Sequence, residues 1–454
     1  MQKLFDEVAS LDERCYREFY LSEDILMEHA AHGMAEYIRS NFKKNVKISI
    51  VCGSGNNGAD GLALGRLLHG DFDVSLICAK PPKSKMALLQ KQRAASIGVR
   101  ESLELLDCDV LVDAIVGTGF SLEADKEMAQ LIEKMNAINA FKLACDVPSL
   151  YLFNADVTCT MGALKKRMFL DEAKEYVGEI HVIDLGICRD IYERSSNWNL
   201  LDLQDLKLPH RFKKDSHKGS YGHLAVISGQ MSGASIMSAM SALRFGSGLV
   251  TLVGFEKIEI PHSIMYSHAV PKNTTALALG MGLGAEFSKA ELAKFLSNGL
   301  PLVADADIFG MQIVLDILKR ESVVITPHVK EFVSLLKIAD IAEISVDELQ
   351  KNRFMYVEMF CKAYPKVTLL LKGANVIIAQ DETFYINPHG KQSLAKGGSG
   401  DVLSGLIGAL LAQGYAPLQA AIHGSLAHVK LSILYEGADF SLTPDDLIDA
   451  IGKL

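Results

Sequence analysis

Short apolar runs alternate with amphipathic ones along both halves of the chain. In the first half the runs are VKISIVC (46–52), DVSLICA (73–79), DVLVDAIVG (109–117), FKLACDVPS (141–149), ADVTCTMG (155–162) and EIHVIDLG (179–186). They have strand length and little polar alternation, the pattern of strands buried on both faces. Between the first four lie GLALGRLLHG, KMALLQKQRAASIG and MAQLIEKMNAIN, with apolar residues at helical spacing. This order predicts a parallel sheet with helices on both faces. Ahead of it, residues 22–42 predict a helix with Ser22 as N-cap.

The pattern breaks over 189–220, which is polar and aperiodic. A second alternating series then starts at HLAVISG (223–229). It continues through LVTLVG, TALALGMG, LPLVADAD, SVVITP, VTLLLKG and NVIIAQ, and ends in two helical stretches, 401–414 and 417–437. The expected organisation is two three-layer α/β domains, at 1–200 and 217–454, joined by a linker at 201–216.

Composition narrows the possibilities. A net charge of −9 argues against nucleic acid as the main partner. The eight cysteines contain no C-x-x-C pair, so they read as small core residues in a reducing, cytoplasmic setting. The charged N-terminus does not read as a signal peptide, and no apolar run is long enough to span a bilayer.

Gly53-Ser54-Gly55-Asn56-Asn57-Gly58 matches G-x-G-x-x-G between a strand and a helix. A dinucleotide fingerprint also needs a carboxylate at the end of the second strand, and that strand ends Leu76-Ile77-Cys78-Ala79-Lys80. NAD as a resident cofactor is therefore disfavoured. Asn56 to Asp60 (with Gly58 and Ala59) can hold an oxygen-rich ligand or a cation, or can serve as turn residues with Asp60 capping the next helix. Two later strand ends add Asp113 with Gly117-Thr118-Gly119, and Asp146 with Ser149. Asn57, Asp113 and Ser149 offer oxygen ligands to a hard cation, and Asp146 is a candidate acid or base.

SGNNGADGL, DAIVGTG and DVPS, in this order, resemble the NAD(P)HX epimerase domain of the NAD(P)H-hydrate repair enzymes; the likeness covers roughly residues 1–190. The resemblance implies a Rossmann-like domain whose substrate is the nicotinamide hydrate. It implies substrate contacts at Asn56, Asn57, Gly58, Ala59, Asp60, Gly117, Thr118, Gly119, Phe120 and Asp146. It also implies potassium on Asn57, Asp113 and Ser149, and catalysis by Asp146. Ala59 and Leu150 stand where the family usually has Gly, and Leu150 is expected to resist the backbone conformation Gly allows.

In the second half, Gly397-Gly398-Ser399-Gly400-Asp401 precedes an apolar helix. Glycine N–H groups and a helix N-terminus suit an anion. A carboxylate there suits a base for a hydroxyl that attacks a phosphoryl group, or an ordinary N-cap. Lys372 can meet a phosphate or solvent, and His328 past a buried strand can be structural or catalytic. The run ADAD (304–307) can approach a metal or cap a loop, and Lys396 can add charge to the phosphate site or face water.

HKGSYGHLAVISG, LKGANVIIA, GGSGDVLSG and SLTPDDLIDAI resemble the ADP/ATP-dependent NAD(P)HX dehydratase, a ribokinase-like domain. That resemblance implies Asp401 as base and substrate contact, with Ala234, Gly282 and His328 also on the hydrate. It implies nucleotide contacts at Lys372, Gly373, Ala374, Asn375, Val376, Gly397, Gly398, Ser399 and Gly400. The expectation is a bifunctional enzyme acting on NADHX and NADPHX, using ADP (or ATP), magnesium and potassium, and forming a homo-oligomer, with no nucleic-acid or membrane partner. The competing expectation is a ribokinase-like small-molecule kinase with a non-catalytic N-terminal binding domain.

Overall fold

The computed structural model describes residues 1–105, 107–117, 126–255, 258–284 and 287–454. The chain divides into two compact units, Gln2–Ser196 and Asn197–Leu454.

The first unit carries β1 (Gln2–Phe5), β2 (Lys47–Cys52), β3 (Asp73–Cys78), β4 (Arg100–Glu101), β5 (Val110–Ala114), β6 (Phe141–Cys145), β7 (Val157–Met161), β8 (Leu164–Lys165) and β9 (Glu179–Ile183). Its helices are α1 (Ala9–Glu18), α2 (Glu23–Asn41), α3 (Asn56–Leu68), α4 (Lys85–Ser96), α5 (Lys126–Ala137) and the short α6 (Arg189–Tyr192). Seven strands form one parallel sheet in the order β4-β3-β2-β5-β6-β7-β9. β1 and β8 form a separate parallel pair, with Leu4 opposite Leu164 and Phe5 opposite Lys165.

The unbroken apolar runs are explained by burial on both faces. Ile48, Ile50 and Cys52 of β2 join a core with residues of α2 and α3, whereas Val51 joins a second core with Met128, Ile132 and Met135 of α5. The strand order reverses between β2 and β5, and ligands of open α/β sheets bind beyond the strand ends at such a point. As expected, Ser22 caps α2, its side chain accepting from the Ile25 N–H.

The second unit carries β10 (Trp198–Leu200), β11 (His223–Ile227), β12 (Leu249–Val253), β13 (Met265–Ser267), β14 (Ala276–Leu279), β15 (Leu302–Ala304), β16 (Val323–Ile325), β17 (Val367–Leu371), β18 (Val376–Gln380) and β19 (Thr383–Asn387). Its helices are α7 (Ser232–Arg244), α8 (Lys289–Leu296), α9 (Val314–Ile317), α10 (Val329–Ile338), α11 (Val346–Lys351), α12 (Arg353–Ala363), α13 (Ser399–Ala412), α14 (Pro417–Ile433) and α15 (Pro444–Ala450). The sheet runs β13-β12-β11-β14-β15-β16-β17-β18-β19-β10. It is parallel from β13 to β17, and β18 is antiparallel to both β17 and β19. One core joins Leu224, Val226, Ala276, Ala278 and Val303 of the sheet to α7, α13 and α14.

Two boundaries differ from the sequence expectation. Residues 201–208, expected as the start of the linker, belong to the second unit. Trp198–Leu200 pairs with β19, Trp198 stacks on Phe384 with ring centroids 4.6 Å apart, and Leu201 is buried. Leu203, Leu206 and Leu208 pack on that unit's core. The leucines of NLLDLQDLKLP are spaced among charges, so average polarity hid them. Second, α3 begins at Asn56, ahead of the expected start after Asp60, with Gly55 as its N-cap. Asp60 therefore lies inside the helix instead of capping it.

Candidate functional site

Three strand ends meet at the edge of the first sheet. Gly53, just past β2, comes so close to the residues following β5 that a Cβ there would stand 1.8 Å from the Ile115 carbonyl oxygen. That contact admits only Gly, and it brings Asn56 and Asn57, the first residues of α3, beside the loop after β5. A Cβ built on Gly117 would lie 3.3 Å from Asp146 Oδ2 and 3.7 Å from Asn57 Cγ, so these three residues meet. Thr118, Gly119 and Phe120 lie outside the described residues.

Asp113 and Ser149 form a closed pair. Ser149 Oγ donates to Asp113 Oδ1 at 2.6 Å and Ser149 N–H to Oδ2 at 2.7 Å. Ile115 N–H also reaches Oδ1, and Val116 N–H donates to Ser149 Oγ at 3.0 Å. Burial pushes the Asp113 carboxyl up to about 6 against these hydrogen bonds. Asn57 contributes the most informative side chain. Its Oδ1 and Nδ2 are both buried and have no hydrogen-bond partner among the described residues. A buried amide in that state costs about 1–3 kcal/mol, so it calls for a ligand. An oxygen-rich set with an unpartnered amide fits a hard cation.

Asp146 sits on left-handed backbone, φ 70°. Its Oδ1 accepts from Met161 N–H at 3.2 Å and from Lys165 Nζ at 2.5 Å. Asp60 is held well above the usual carboxylate range by burial first, then by Asp146 and Asp12, with Lys165 opposing. Asn56 reaches out to Glu23 Oε1 at 2.7 Å. Gly58 and Ala59 are buried; the Ala59 methyl is accommodated beside Met27, Met86 and Ala87. Leu150 does adopt the conformation it was expected to resist, φ 55° and ψ 9°. Its partial burial against the second core of this unit offsets a cost of about 1–2 kcal/mol.

The second unit assembles a different set. Gly398, at φ 91°, is the N-cap of α13, a left-handed position that favours Gly, and it points the first N–H groups of the helix outward. Asp401 lies in that first turn. Burial, then Asp305 and Asp307, push it up to about 6, with Lys372 opposing. Lys372 Nζ lies 2.5 Å from Asp305 Oδ1, and a Cβ on Gly400 would be 3.3 Å from the same Nζ. Ser404 Oγ, one turn along α13, donates to Asp305 Oδ2 at 2.7 Å. ADAD thus both caps and pairs: Asp305 accepts from the Ala306 N–H, and Asp307 accepts from the Gly284 N–H at 2.9 Å.

Ala234 and Gly282 are neighbours, with Ala234 Cβ 3.0 Å from where a Gly282 side chain would begin. His328 caps α10; its Nδ1 accepts from Lys330 and Glu331 N–H groups, leaving Nε2 as the donor. The turn after Lys372 exposes Gly373 and Ala374 and buries Asn375 before Val376 opens β18. Gly397 is exposed, with open space at its Cα. Lys396 is exposed, as one of its two expectations had it, and its Nζ donates to the Phe440 carbonyl at 2.7 Å.

Sequence reasoning missed three residues. Lys165 was one of two lysines after a strand and gave no sign of burial. Ser404 looked like a helix-face serine. His428, on an apolar face of α14, meets Ser399 Oγ through Nε2 at 3.0 Å, and burial pushes it down to about 4. Among the described residues no three His, Cys, Asp or Glu side chains form a metal cage, and no helix is long and apolar enough to cross a membrane.

Residues 224–453 match the family described as NAD(P)H-hydrate dehydratase, and residues 23–167 match the YjeF-related protein N-terminus. The chain is 43% identical to the bifunctional NAD(P)H-hydrate repair enzyme Nnr of Helicobacter pylori, over 100% of both chains. It is 31% identical to the enzyme of that name from Escherichia coli K12, covering 89% of this chain and 83% of that one. A Bacillus subtilis ADP/ATP-dependent NAD(P)H-hydrate dehydratase, co-crystallised with ATP and Mg2+, is similar over 54% of this chain and 92% of its own, at 27% identity and a TM-score of 0.47.

Proposed function

This chain belongs to the bifunctional NAD(P)H-hydrate repair enzymes, and on that premise we propose how its two units divide the work. The enzyme epimerises the R and S forms of NAD(P)H hydrate and dehydrates the S form back to NAD(P)H. The competing reading, a small-molecule kinase with a passive N-terminal domain, gives way to relatives that carry both domains under one repair name.

We assign epimerisation to the first unit. Inverting the carbon that bears the hydroxyl requires its C–O bond to break, the oxygen taking a proton and leaving as water, and to reform as water adds to the other face and gives a proton back. Asp146 is the group for that transfer, and the Asn57 to Asp60 segment and the loop from Gly117 to Phe120 hold the substrate. Asn57, Asp113 and Ser149 would hold a potassium ion, which when bound supplies positive charge beside the anionic substrate. The support is the unpartnered Asn57 amide beside Gly117 and Asp146.

We assign dehydration to the second unit. Asp401 takes the hydroxyl proton of the hydrate while that oxygen attacks the terminal phosphoryl group of ADP. An O–P bond forms, the P–O bond to the nucleotide breaks, and AMP leaves. The C–O bond then breaks with phosphate as leaving group, and loss of a proton from the adjacent ring carbon restores the double bond. Lys372 to Val376 and Gly397 to Gly400 receive the nucleotide, and Ala234, Gly282 and His328 receive the hydrate. A magnesium ion would be carried by the nucleotide phosphates and would supply positive charge to them during the transfer. The observation that carries this reading is Asp401 in the first turn of α13, beside Lys372 and Asp305. The eight free cysteines support a reducing cytoplasm.

The test is recovery of NAD(P)H absorbance from purified hydrate. With ADP the S form should be restored directly, and the R form through epimerisation. A folded protein that restores neither, or that accumulates a stable phosphorylated product, would overturn the reading.

A further inference from the structure

The geometry points to Lys165 as the positioning residue of the epimerase site: it holds one oxygen of Asp146 so that the other faces the substrate. This rests on the reading of Asp146 as the proton-transfer group.

Lys165 is fully buried, and its ammonium is saturated. Nζ donates to Asp146 Oδ1 at 2.5 Å, to Thr160 Oγ1 at 2.8 Å and to the Met161 carbonyl at 3.0 Å. An ammonium has three N–H donors, and all three are used. A buried charge is tolerated only when so satisfied. No lone pair is left for Lys165 to act as nucleophile or base itself. It serves as a fixed cation.

The same arrangement divides the two oxygens of Asp146. Oδ1 takes both Lys165 and the Met161 N–H. Oδ2 has no such partner among the described residues and is the oxygen that faces Gly117, on the side where Asn57 lies. The backbone cooperates: Asp146 is turned back by φ 70° with its N–H donating to the Cys159 carbonyl, which sets the carboxyl against β7 and β8. A carboxylate held at one oxygen loses its freedom to rotate, and proton transfer depends on that alignment.

The experiment compares three variants of the full-length enzyme, assaying epimerisation of R hydrate and dehydration of S hydrate separately. Lys165→Met should lower epimerisation kcat about a hundredfold, with KM little changed and dehydration retained. Thr160→Val, which removes one acceptor of Nζ without removing the charge, should lower the same kcat several-fold, again without a KM change. It decides the matter if Lys165→Met does not fold. Asp146→Asn should abolish epimerisation. If it does not, the reading of Asp146 fails and this inference with it. If it does, but neither Lys165→Met nor Thr160→Val lowers kcat, or the loss is all in KM, the role of Lys165 alone is overturned.

Discussion

Lys372 Nζ and Asp305 Oδ1 lie 2.5 Å apart, directly beneath the glycine turn that opens α13. The Asp305 carboxylate offsets the lysine's charge beside that turn and, after burial, is the neighbour that raises Asp401. Removing that carboxylate frees the lysine and takes a negative neighbour from Asp401. Both changes favour the ionised base. Asp305→Asn should therefore move the acid limb of the dehydration pH profile to lower pH, and epimerisation should keep its own profile. A limb that stays in place would show that Asp305 does not act on Asp401.

Asp401 itself gives dehydration and stability opposite pH dependences. In the folded chain it is pushed up to about 6 from an ordinary 3.8. Dehydration should rise with pH through about 6 as the base ionises. The folded state binds this proton more tightly than the unfolded one, so the stability it contributes is full at low pH and falls as pH rises from 3.8 to about 6. Asp401→Asn removes that penalty. At neutral pH it should abolish dehydration and raise stability by ~1 kcal/mol, a figure discounted for the group's partial exposure. Thermal denaturation and turnover, measured on one preparation, test both.

Potassium should stabilise the first unit through Asn57. A ligand at one hundred times its dissociation constant adds about 2.7 kcal/mol. The melting temperature should thus be higher in potassium than in choline. Asn57→Ala should remove the difference. In choline the same variant should be neutral or stabilising by about 1 kcal/mol, because the buried amide has no partner to lose. Equal destabilisation in both salts would mean that Asn57 is purely structural.

Gly53→Ala places a methyl against the Ile115 carbonyl at 1.8 Å. The two strand ends must separate, and separation takes Asn57 from Gly117. The variant should be destabilised by roughly 2–3 kcal/mol and should lose epimerisation ahead of dehydration. Denaturant unfolding monitored beside both activities gives the order.

The parallel strands of both sheets were legible in the sequence because strands buried on both faces are apolar without interruption, as in VKISIVC and HLAVISG. Asp113, Asp146 and Asp401 were legible because each closes such a run or a glycine turn. Lys165 was not, since the chemistry of a lysine changes with burial and burial depends on strands far away. The Leu201 to Leu208 stretch was misread because charges between leucines lower average hydropathy while leaving one face apolar. Leu150 shows a third limit: local preference against left-handed backbone is about 1–2 kcal/mol, and packing can outweigh it.

The pairing of β1 with β8 ties the start of the first unit to a strand far along it, Phe5 opposite Lys165. A ribosome makes β1 before β8 and must make everything between them, up to residue 165, before that pairing can form. Loop closure over such a separation is slow and entropically costly. The epimerase site is thus completed late in the life of the nascent chain, and the first residues spend that interval without their strand partner. A chaperone that holds β1 as it emerges acts on the timing of a site whose Lys165 lies 160 residues further along the chain.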